Sequence, residues 1–375
     1  MKQSKKAATL SPAFYILYFI FLMLLIFLTI YFQNQDITEA LLTAVTVAAA
    51  FFVGIPFTVL IHEAGHLLFG LFTGYRLVSF RLFSLILKKK DGRWRIGREP
   101  AMMAGIAGQC LMTPPRKKNG DFPYRLYNAG GVILGLAVSA ALIVVSLLFC
   151  RSFQLYLFLL VTGAYGLIVN LFNAIPTSGK HVVNDGTNAR AAKRSPVTRE
   201  ALWNQLEYAA LQAEGVRTRE MPEELFFLPE AWALSNALTV TEGMMLLDRY
   251  EDTSAYEDAR GTAAYLLENA RPLLPIHRAS LTAEMLFFEL ILRGDPHEIA
   301  RLYSETEKNL PLLKNHASAY RTLYAYHLLS SGDASAAADA LARFESLAAR
   351  NPVGTLPDRD MIAYTQMLYQ NKKEG

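Results

Sequence analysis

The chain has 375 residues, 37 Lys and Arg against 33 Asp and Glu, a formal net charge of +4 and a 52% hydrophobic composition. With a mean hydropathy of +0.20, this excludes a disordered polyelectrolyte and an ordinary small soluble domain, and the length allows two or three domains. Two cysteines leave no disulfide framework and no cysteine-based zinc site, and the slight basicity belongs with loops bordering a membrane rather than with nucleic acid.

Four charge-free runs, 7–35, 40–61, 126–150 and 152–179, each reach the ~20 apolar residues that cross a bilayer. The first is far longer than the roughly 7–15-residue core of a signal peptide, so it reads as an uncleaved anchor. Lys2, Lys5 and Lys6 before the first run, and the crowd of Lys and Arg between the second and third, put both termini and that loop on the cytoplasmic side. The expected organisation is an anchor helix over 1–39, a membrane-embedded core over 40–194 and a cytoplasmic helical domain over 195–375.

The second run continues as "HLLFGLFTG", which predicts one helix over about 41–72, with Gly54 and Pro56 as kink points. Residues 78–95 carry β-branched and aromatic side chains on both sides of Asp91-Gly92, which predicts a β-hairpin. The uncharged stretch 101–112 is too short to span and reads as a re-entrant or interfacial segment. In "NAGG", 128–131, the glycines would let helices pack closely.

Beyond residue 195 the pattern turns helical. Stretches 287–311 and 324–352 each suit a pair of amphipathic helices around a Gly-Asp turn, a layout similar to tetratricopeptide hairpins without their full consensus. His277, His297, His316 and His327 lack metal-ligand spacing and read as surface or packing residues. The fold class is therefore mainly α: a polytopic membrane protein of about four transmembrane helices, with a small cytoplasmic hairpin and a C-terminal helical-hairpin domain.

The chemistry concentrates in "FTVLIHEAGHLLFG", 57–70. Ionisable side chains at bilayer depth cost about 2.5–3.5 kcal/mol each on insertion scales, so idle ones are selected against. On a helix His62 and His66 point the same way and can share one Zn²⁺, with Glu63 beside them as general base on water that the metal activates. The bland alternative is histidines hydrogen-bonded within a helix bundle. The fourth run exits through "NLFNAIPTSGKHVVNDGTN", 170–188, where Asp185 and His181 are the candidates for a third ligand.

H-E-A-G-H in a span, followed later by N-x-x-P and then D-G, resembles the site-2 protease family of intramembrane zinc metallopeptidases. The resemblance covers about 41–188. It implies a three-span core in which His62, His66 and Asp185 bind zinc and Glu63 is the base, with Asn173 and Pro176 shaping the approach to Asp185. Asp185 lies further beyond Pro176 than is usual in that family, and the intervening stretch contains Lys180 and His181, either of which would be near enough to Asp185 to stabilise an oxyanion.

The resulting expectation is an intramembrane zinc metalloprotease acting on a membrane-spanning or membrane-associated protein or peptide, in a bacterial plasma membrane. Its C-terminal domain would bind a protein partner. The rival reading is a non-catalytic membrane scaffold that works through that same domain.

Overall fold

The computed structural model describes residues 36–90, 92–98, 107–176, 184–271, 273–351 and 353–374. The predicted anchor 7–35, the first half of the predicted re-entrant stretch, and Lys180 and His181 lie outside the described residues. Among the described residues the chain is mainly helical with a small antiparallel sheet, and it divides into two compact units, Met1–Gly65 with Gly130–Asn173, and His66–Ala129 with Ala174–Gly375.

Among the described residues the first unit is built from three apolar helices: most of α1 (Ile37–Phe72), α2 (Tyr124–Phe149) and α3 (Phe153–Ala174). All three are long and apolar enough to cross a membrane. They bury little inside the protein and leave large side chains such as Phe52, Leu148 and Phe149 exposed, as helices solvated by lipid do. Asp36 starts α1, its carboxylate accepting from the Thr38 amide at 2.8 Å. The helix then runs unbroken through Pro56.

Close packing inside this unit is made by small residues. A Cβ built on Gly65 would stand closer than 3.0 Å to the Gly130 carbonyl and to Gly131 Cα. One on Gly163 would meet the Ser139 carbonyl at 2.9 Å, and one on Gly54 would meet Thr162 Cγ2 at 3.3 Å. Backbones approach closely where side chains are absent, the usual basis of helix association in lipid. The "NAGG" glycines thus do what close packing requires of them.

The second unit begins with the last turns of α1 and a four-stranded antiparallel sheet: β1 (Arg76–Leu82), β2 (Leu85–Lys90), β3 (Arg93–Arg98) and β4 (Gly108–Thr113), in the order β3-β2-β1-β4. The predicted hairpin is present as β2–β3, with Gly92 at φ +74 in its turn. The sheet is larger than predicted. Residues 108–113 form β4 against β1 instead of a re-entrant segment, because alternate side chains, Cys110 and Met112, are buried in the core beneath it. That core also takes Tyr75, Phe122, Tyr124 and Tyr127, together with Ala192, Ala201, Leu202 and Leu238 from helices further along the chain.

Those helices are α4 (Asp185–Arg194), α5 (Pro196–Ala213), α6 (Ala237–Asp252), α7 (Tyr256–Asn269), α8 (Pro275–Ile291), α9 (Pro296–Leu313), α10 (Ala317–Tyr326), α11 (Ala334–Ala348) and α12 (Leu356–Glu374). The Gly-Asp signals fall where the sequence put them. Asp295 caps α9 through the His297 amide at 3.0 Å, and Asp333 caps α11 through the Ala336 amide at 2.9 Å, just after Gly332 at φ +69. Among these helices lies a fully buried Arg321, which bonds Glu284, sits 3.1 Å from Asp358 and lies over the Phe287 ring at 4.3 Å.

Candidate metal centre

Helix α1 carries His62, Glu63 and His66. Residues four apart on a helix differ by roughly 40° around the axis, so the two imidazoles project to one side. Both are buried; Glu63 is half-buried.

The ring nitrogens of His66 have distinct surroundings. Nδ1 lies 2.8 Å from the Tyr127 carbonyl. A carbonyl only accepts, so Nδ1 carries a proton and Nε2 is the nitrogen placed to ligate a metal. Nε2 is 3.4 Å from Asp185 Oδ2. Tyr127 is itself fixed by the sheet: its hydroxyl donates to the Cys110 carbonyl at 3.0 Å, and its ring stacks on Tyr75 at 4.4 Å. The sheet thereby orients His66 through one backbone oxygen.

His62 faces two asparagines of α3. Its Nδ1 is 2.9 Å from Asn170 Oδ1, and Asn173 Nδ2 is 3.2 Å from its Nε2. Asp185 is the first residue of α4. Asn184, the cap of that helix, accepts from the Thr187 amide at 3.0 Å and from the Thr187 hydroxyl at 2.6 Å, while its own amide donates to the Ile175 carbonyl at 2.8 Å. The positive end of the helix dipole favours a carboxylate at Asp185. Helix α4 is docked by Ala192, buried with Ala201 and Leu202 of α5 against Tyr75 and Met112.

One ligand atom from each of His62, His66 and Asp185 lies within 4.8 Å of the other two. Two imidazoles and a carboxylate suit a first-row divalent ion, and three protein ligands would leave a position open for a reactant. Each imidazole is oriented by a hydrogen bond at Nδ1, His62 by Asn170 and His66 by the Tyr127 carbonyl, so that Nε2 is the nitrogen on the side of the cluster.

The structure therefore brings together three of the residues singled out from sequence, His62, His66 and Asp185, with Glu63 next to His62 along the helix and Asn173 in contact with His62. Pro176 is exposed two residues beyond the end of α3. Lys180 and His181 fall outside the described residues. Sequence reasoning missed Asn170, Asn184 and Tyr127. Asn170 carried the same signal as the histidines, a polar side chain in an apolar run. Tyr127 acts through its backbone, which has no sequence signature.

No family model, curated protein or solved structure matches this chain.

Proposed function

We propose that the protein is an intramembrane zinc metalloprotease of the site-2 protease type, cleaving a membrane-spanning or membrane-associated protein or peptide. The observation that carries this reading is the convergence of His62, His66 and Asp185, with Glu63 one residue from the first ligand. In this reading residues 7–35 add a fourth span in a bacterial plasma membrane. Both termini and the sheet face the cytoplasm, where residues 195–375 form a helical domain that binds a protein partner.

A Zn²⁺ ion held by His62, His66 and Asp185 would acidify water towards a pKa of ~7 and polarise the scissile carbonyl. The protein's own residues do the rest. Glu63 holds the proton taken from water on its carboxylate and returns it to the departing amine nitrogen. Tyr127 and Asn170 keep the imidazoles in position. Asn173 directs an amide N–H to the Nε2 side of His62, and with that nitrogen on the metal the amide would be released to donate to the substrate carbonyl. A substrate helix must unwind to present that carbonyl, and β3, an edge strand among the described residues and exposed along its length, is placed to take an extended segment.

Glu63→Gln tests the reading. It keeps the shape and the ligands but removes the base, so cleavage of a co-expressed membrane substrate falls by about 10²–10⁴-fold while metal stays bound, and uncleaved substrate co-purifies. Wild-type behaviour of Glu63→Gln cells, with loss of function on deleting 195–375, would establish the scaffold instead.

A further inference from the structure

Asn170 is a polar residue in a membrane-spanning helix with no solvent exposure at all. An uncompensated amide there is unfavourable, so its contacts say what it is for. Its two ends are distinguishable. Nδ2 lies 2.8 Å from the Gly166 carbonyl, which can only accept, so the amide nitrogen is at that end and Oδ1 faces His62. Oδ1 can only accept, so His62 Nδ1, 2.9 Å away, must carry the proton. On the far side of the ring Asn173 Nδ2 donates to Nε2 at 3.2 Å. Two asparagines, one helical turn apart, thus read the two nitrogens of His62 in opposite senses and leave it one tautomer.

The facing helix makes room for this arrangement. A Cβ built on Gly135 of α2 would stand closer than 3.0 Å to Oδ1, Cγ and Nδ2 of Asn170. A residue with any side chain at 135 would push the Asn170 amide away from the ring it orients.

We propose that Asn170 is a positioning residue for the metal centre, holding the proton of His62 on Nδ1 so that Nε2 is the nitrogen presented to the metal, and that Gly135 is the space this requires. The inference rests on the metalloprotease reading and adds to it the residue pair that sets the ligand's tautomer. Outer-shell partners of metal-bound histidine are typically worth 10–100-fold in metal affinity.

The test is Zn²⁺ affinity of the full-length protein in detergent, measured against a series of zinc buffers, with no activity assay needed. Asn170→Leu is apolar and of similar size, hence compatible with the membrane fold, and is expected to weaken Zn²⁺ binding by about 10–100-fold. Asn170→Asp retains an acceptor for Nδ1–H and keeps most of the affinity. Gly135→Ala is as weak as Asn170→Leu, and adding Gly135→Ala to Asn170→Leu weakens binding no further. Asn173→Ala removes a donor that competes for the Nε2 lone pair, so its affinity is unchanged or higher.

Wild-type affinity in Asn170→Leu overturns the proposal. So does an Asn170→Asp as weak as Asn170→Leu, or an equal loss in Asn173→Ala, which would point to packing alone. A wild-type protein that binds no Zn²⁺ overturns the metal reading itself, a result distinct from wild-type binding with an indifferent Asn170.

Discussion

Gly65 of α1 lies directly against the backbone of Gly130 in α2. A Cβ at Gly65 would stand closer than 3.0 Å to the Gly130 carbonyl oxygen, the Gly130 carbonyl carbon and Gly131 Cα. All three are backbone atoms and cannot rotate away. The glycine inside H-E-A-G-H is therefore set by helix packing, one residue from His66.

Gly65→Ala must force the two helices apart. Overpacking of this kind destabilises by about 1–3 kcal/mol. The expected outcome is a lower thermal midpoint in detergent together with weaker Zn²⁺ binding. An alanine variant with unchanged midpoint and metal content would show that the helices approach less closely than described.

Asn184 holds Asp185 from both sides, capping α4 and bonding the Ile175 carbonyl. Asn184→Ala loses the cap, worth about 1 kcal/mol, and the tie to Ile175. Zn²⁺ affinity should fall while His62 and His66 remain intact. Asn184→Asp keeps the capping oxygen but has no amide to donate, so it should fall between alanine and wild type. Isothermal titration or zinc-buffer competition on the three proteins decides the order.

Glu242 of α6 is fully buried, accepts from Asn204 Nδ2 at 3.1 Å, and burial pushes its carboxyl up to about 8. An unfolded glutamate titrates near ~4.3. Between these values the folded state keeps a proton that the unfolded state has lost, so stability is greatest below the unfolded value. It is lost as pH rises through about 8, by up to ~1.4 kcal/mol per pH unit. Glu242→Gln mimics the protonated form. It should flatten the decline of thermal midpoint between acidic and mildly alkaline buffer, with its largest gain at the alkaline end. Identical pH profiles for variant and wild type would contradict the buried, protonated assignment.

His62, Glu63 and His66 were legible because helical periodicity and the penalty for charge in lipid both act locally. Asp185 needed the resemblance to a known motif, since its helix is brought to His66 by packing of Ala192 and by the Asn184 tie, neither visible in a linear pattern. The helical hairpins were legible for a local reason too, the Gly-Asp turns that cap α9 and α11. β4 was not: "GQCLMT" is a short apolar run whose strand character appears only when β1 supplies its partners. Asn170 was readable in principle, but nothing in sequence says which imidazole nitrogen an intramembrane asparagine meets.

The central claim is that His62, His66 and Asp185 form one metal centre. It is tested most directly by the zinc content of purified protein in detergent, measured by elemental analysis beside the His62→Ala, Asp185→Ala and His181→Ala variants. The account predicts about one Zn²⁺ per wild-type chain, by the ligand count of a catalytic site, most of it lost in His62→Ala and Asp185→Ala and kept in His181→Ala. Full zinc content in Asp185→Ala, or none in the wild type, would contradict it.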